Sequence, residues 1–206
     1  MDEEIRDAAE QQYSDELPYH NFQHIQHALE FAETLLERCA RYGIPVDSDI
    51  VRYAVLFHDA GYHEDHKAEG YDTKEQYSAA IAADELERHG RDQETIDEVR
   101  QCILATEEGA SFDTPEEKIV RAADLAQIGG SYTVLEENAE RLRDEVEQLH
   151  DTELSDEEWI EQVRDTIGHY LEQDIRLTPE HDHRGVSKFH ARARRNLERF
   201  IEEHTD

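Results

Sequence analysis

The sequence Val55-Leu56-Phe57-His58-Asp59-Ala60-Gly61-Tyr62 breaks off an apolar run with a histidine, an aspartate and, two residues later, a glycine. Adjacent side chains on an α-helix point about 100° apart, so His58 and Asp59 converge on one point only where the backbone leaves helical geometry. Gly61 marks such a place, because glycine takes the left-handed conformation that ends helices. A lone His-Asp pair is more often an ordinary polar helix end. The reading changes here because His20 and His24 lie upstream and Asp124 lies inside a second apolar run downstream.

Working outward, almost every segment carries helix punctuation, and neither strand alternation nor an Asn-Gly or Asp-Gly hairpin signal occurs. The class predicted is all-α. Helices are expected over residues 2–13, over 21–42 ending at Gly43, and from Asp47 or Ser48 to the His58-Asp59 pair. Further helices are expected over 73–89, over 94–106 and from Thr114-Pro115 through Ile128, where Gly129-Gly130 ends the run. Three more follow: 132–150, one opened by the Ser155-Asp156-Glu157-Glu158 capping box and running to Tyr170, and 186–204. The connection over 60–72 is rich in His, Glu and Asp, and reads as a lid or a solvated loop. A chain of 206 residues suffices for one domain, 1–206, with the helices from about residue 132 packing on the core.

Composition excludes several classes. The formal net charge is −31, from 52 acidic and 21 basic residues, and the only lysines are Lys67, Lys74, Lys118 and Lys188. Self-repulsion at that charge opposes compaction in dilute buffer, whereas the screening length shrinks to about 3 Å at 1 M salt. The acidic, lysine-poor surface resembles that of proteins from extreme halophiles. No basic stripe exists to displace counterions from a nucleic acid. Cys39 and Cys102 are too few for a disulfide framework and read as buried thiols in a reducing compartment. The acidic start and the absence of a long apolar run point to a cytoplasmic protein without a membrane partner.

Among the chemistry-bearing residues, His20 and His24 are four apart, hence on one face if the helix has begun, but spacing is weak in a chain with 13 histidines. Asp124 is more telling. It sits among Ala122, Ala123, Leu125 and Ala126, where an ionised carboxylate is costly unless paired or bound to a cation. The plain alternative is a salt bridge to Arg121 or another arginine.

Taken together, a His on one helix, His-Asp at the end of the next and an Asp in a later apolar helix resemble the pattern of the HD-domain superfamily of metal-dependent phosphohydrolases. Tyr19-His20-Asn21-x-x-His24-Ile25, Phe57-His58-Asp59-Ala60-x-Tyr62, Tyr77-Ser78-Ala79, Ala123-Asp124-Leu125-Ala126 and Ala193-Arg194-Arg195-Asn196-Leu197 are similar to a branch of predicted phosphohydrolases. That branch often has an acidic residue where this chain has Ala123, and a histidine near the position of Glu107-Glu108. The resemblance implies a helical bundle with a metal at its centre and His24, His58, Asp59 and Asp124 as the ligands. It also likens His20 to the proton donor of cyclic-nucleotide phosphodiesterases.

Two imidazoles and two carboxylates suit Mn, Fe, Co, Ni or Zn better than Mg. One ion is expected, and His63, Asp65 and His66 leave room to consider a second. Four ligands around a six-coordinate ion leave one position for a water of lowered pKa and one for a phosphoryl oxygen. The expected activity is hydrolysis of a small phosphoester, with a nucleotide favoured, by metal-activated water. His20 and Asp59 are the catalytic candidates, and Lys67, Arg143 and Arg195 are candidate phosphate contacts. Glu75 and the His181-Asp182-His183 run have no role assigned. The competing reading is a non-catalytic metal- and nucleotide-binding sensory module, whose helices from Tyr132 onward form a partner or homodimer surface.

Overall fold

A computed structural model describes residues 2–173, 175, 177–179 and 186–205, so the His181-Asp182-His183 run lies outside the described residues. Among the described residues there are nine α-helices, one 3-10 turn and no strand. The helices are α1 (Glu3–Glu10), α2 (Phe22–Tyr42), α3 (Ser48–Phe57), α4 (Lys74–Arg88), α5 (Gln93–Leu104), α6 (Pro115–Asp124), α7 (Tyr132–His150), α8 (Asp156–Glu172) and α9 (Lys188–His204). The chain divides into two compact units, Met1–Asp124 and Leu125–Asp206. No described helix is long and apolar enough to cross a membrane. Cys39 and Cys102 are both free and buried.

In the first unit α3 is the hub, packing against α1, α2, α4, α5 and α6. Its composition explains why: Ile50, Val51 and every residue from Tyr53 to Phe57 are buried, so the helix is apolar nearly all round. Burying a side chain the size of Leu56 or Phe57 contributes roughly 1.5–3 kcal/mol. That apolar hub therefore dictates where its C-terminal end, His58, lies. Asp47 starts the helix by accepting from the Asp49 and Ile50 N–H groups.

The second unit is built from the 3-10 turn Ala126–Gly129 and helices α7 to α9. Its core gathers Leu135, Ala139, Trp159, Ile160, Val163, Ile167 and Phe200. Asn196 closes the turn onto α9, its side-chain N–H groups donating to the carbonyls of Ile128 and Gly130. Gly129 is required there, because a Cβ would come within 2.3 Å of the Phe189 ring.

Two boundaries differ from the periodic pattern. The first helix stops at Glu10 rather than Tyr13, since Tyr13 is drawn inward to donate its hydroxyl to the Leu56 carbonyl, 2.7 Å away. The helix expected to run to Ile128 stops at Asp124, and the apolar residues beyond it form the 3-10 turn. Apolar spacing is common to both helix types over one turn, so the pattern alone did not separate them.

Candidate metal centre

Each element delivers its residue by a local device. Asn21 caps α2, accepting from the N–H groups of Gln23 and His24 while its own amide donates to the Leu17 and Pro18 carbonyls. His24 thus falls in the first turn of α2, buried, with its ring centroid 4.9 Å from that of Tyr19. His58 caps the end of α3, and the backbone then turns sharply: the Ala60 N–H bonds the Phe57 carbonyl and the Tyr62 N–H bonds that of Asp59. Gly61 sits at φ +73°, a conformation glycine adopts without penalty.

The turn is stitched from three sides. The Gly61 N–H donates to the Gln12 carbonyl at 3.1 Å, the Ser78 hydroxyl donates to the Ala60 carbonyl at 2.8 Å, and Tyr13 holds the Leu56 carbonyl. This is how consecutive residues come to aim at one point.

The result is a cluster in which one ligand atom from each of His24, His58, Asp59 and Asp124 lies within 4.8 Å of the others. His58 Nε2 is 3.2 Å from an Asp59 oxygen and 3.6 Å from an Asp124 oxygen. His24 Nε2 is 3.7 Å and 4.0 Å from the same two carboxylates. Atoms about 2.1 Å from a shared ion lie roughly 3 Å apart when adjacent and about 4.2 Å apart when opposite, so this spacing admits one cation after small adjustments. Among the described residues this is the group of three or more such side chains that could hold a metal; His63, Asp65 and His66 do not form another.

The donor chemistry fits as well. His58 Nδ1 lies 2.9 Å from the Val55 carbonyl, which can only accept, so Nδ1 carries the proton. Nε2 of a neutral ring then presents a lone pair to two carboxylates, a meeting of acceptors that needs a positive charge between them. Without a metal a proton fills that need. Burial disfavours the His58 imidazolium, but Asp59 and Asp124 outweigh burial and raise its pKa well above the usual histidine value. Burial also works against ionising Asp59, yet His58, then Lys74 and His20, hold its carboxyl well below the usual range. Asp124 is lowered in the same way, by His58 against its burial. His24 is pushed down to about 4, by burial first, with His58 and His20 adding to it against the two carboxylates. A neutral His24, two carboxylates and an inward Nε2 are what a divalent cation takes.

Arg121, fully buried, lies between two tasks. Its guanidinium donates to the Thr106 carbonyl and sits 3.6 Å from the second oxygen of Asp124. The alternative raised from sequence, a salt bridge between Asp124 and Arg121, is therefore present alongside the cluster: one carboxylate oxygen faces Arg121 and the other faces the histidines.

Of the remaining candidates, His20 stands just ahead of α2 with its ring 5.9 Å from that of His24 and stacked on Tyr62. Lys67 is exposed in the connection between α3 and α4. In the second unit Arg143 is engaged by Glu147, Asp156 and the Leu154 carbonyl, and Arg195 is exposed on α9. The lysine whose charge bears most on Asp59 is Lys74. It escaped the sequence reading because a lysine just after a capping threonine looks like an ordinary helix start. Tyr13 and Gln12 escaped too, since nothing local marks them as partners of residues 56–61.

The family model of the HD domain matches residues 24–127, just over half of the chain, and the protein belongs to that family. The match begins at His24 and ends three residues past Asp124, so it spans the whole cluster. HD-domain proteins are generally metal-dependent phosphohydrolases. A search of curated proteins finds no match to the chain.

Proposed function

We propose that the protein is a metal-dependent phosphohydrolase acting on a small phosphoester, with a nucleotide the favoured substrate. The observation that carries the reading is the convergence of two buried imidazoles and two carboxylates at the end of an apolar hub helix, within one ion's reach of each other. A mixed nitrogen and oxygen set favours Mn, Fe, Co, Ni or Zn over Mg. Bound there, such a cation would lower the pKa of a water molecule and polarise a phosphoryl oxygen.

The chain's own residues do the rest. The Val55 carbonyl fixes the His58 tautomer, so that Nε2 and not Nδ1 faces inward. Arg121 holds the outer oxygen of Asp124 and keeps the inner one turned toward the histidines. Asp124, with 22% of its side chain exposed against 2–8% for His24, His58 and Asp59, marks the side from which substrate arrives. His20 is the proton donor to the departing oxygen, its ring kept from swinging by the Tyr62 stack.

The test is a panel of nucleotides and simple phosphoesters with Mn²⁺, in molar KCl because the net charge is −31. The wild type is expected to release phosphate from some members, and Asp59→Ala to be slower by about 100-fold or more and to lose bound metal. Equal release by the two proteins overturns the mechanism. Metal and nucleotide bound with no release from any ester would make this a binding module instead.

A further inference from the structure

Lys74, the first residue of α4, places its ammonium 4.2 Å over the centroid of the Tyr62 ring. The His20 ring stacks on the same tyrosine, with centroids 3.8 Å apart and planes 17° from parallel. Two groups so close to one centroid cannot share a face, so Tyr62 is sandwiched between imidazole and ammonium. It has no face left for a nucleobase.

The sandwich also fixes the lysine without cancelling its charge. An aromatic face attracts a cation but does not neutralise it. The carboxylate paired with it, Glu75, is 3.9 Å away, at the outer limit of an ion pair. The side chain is 39% exposed, and its charge is felt by the two carboxylates of the cluster. An anion approaching a protein of this net charge moves against the overall field, and beside the metal ligands it meets a fixed positive group.

We propose that Lys74, presented on Tyr62 beside the cluster, is the subsite for the phosphoryl oxygens of the substrate, and that Tyr62 serves as its support rather than as a base-stacking platform. The identity of the anion rests on the phosphohydrolase reading; the subsite itself rests on the geometry of His20, Tyr62 and Lys74.

Calorimetric titration of inorganic phosphate into Mn²⁺-loaded protein tests this without turnover. Lys74→Met is expected to weaken phosphate binding about tenfold or more while bound manganese is unchanged, and Lys74→Arg to restore most of the affinity. Equal phosphate binding by wild type and Lys74→Met overturns the proposal. So does a wild type that binds no phosphate, or loss of manganese from Lys74→Met, which would make the lysine a support of the ligands. An inactive wild type that still binds phosphate through Lys74 would remove the hydrolase reading and leave the subsite standing.

Discussion

The two units bury polar groups for different ends. In Met1–Asp124, His24, His58 and Asp59 are buried with their functional atoms turned toward one another, a costly arrangement unless a charge between them compensates. In Leu125–Asp206 the buried Asn196 spends its amide on two carbonyls of a turn, and Arg143, half-buried, ties α7 to the start of α8. Burial alone therefore does not mark a site. What marks it is a set of buried groups that answer each other badly without a guest.

Replacing Trp159 should have the largest effect on stability. It is 5% exposed in the second unit's core, and Trp159→Ala is expected to cost about 3–5 kcal/mol in a denaturant melt. Manganese bound per folded protein should not change, and a loss of metal would break the division just drawn. Gly61→Ala sharpens it from the other side. The new Cβ would sit 2.7 Å from Ile81 and from Tyr77, at a positive φ, so a cost of about 2 kcal/mol is expected. Here the metal affinity should fall together with the melting temperature, because the strain enters the turn that carries His58 and Asp59. Tyr13→Phe is the mildest. It removes the donor to the Leu56 carbonyl at a cost of about 1 kcal/mol, and metal affinity is expected to drop by about tenfold. An unchanged manganese isotherm for Tyr13→Phe would show that the stitch is dispensable.

The same contrast explains what a single sequence discloses. The nine α-helices among the described residues follow from apolar spacing and caps, which are local properties. Asp124 stood out because it offends its neighbourhood of alanines and leucine, whereas His24, one of 13 histidines, and the His58-Asp59 pair were singled out by their resemblance to the HD-domain pattern. Motif residues that had no evident task found one: Asn21 caps α2, Ser78 holds the Ala60 carbonyl, and Asn196 closes the 3-10 turn. Lys74 and Tyr13 were opaque because their partners lie across the fold, where no local pattern points. The overrun of the sixth helix past Asp124 has a similar cause: α-helical and 3-10 turns share an apolar rhythm and part company through contacts such as those of Asn196 and Phe189.

The thread from Gln12 and Tyr13 to residues 56–61 reaches further than its two hydrogen bonds suggest. The family match opens at His24, so this strap lies ahead of it. A protein trimmed to begin at the match would carry every metal-capable side chain named above and lack the brace that aims two of them. The border by which a domain is recognised and the border by which it is held in tension are, in this protein, a dozen residues apart.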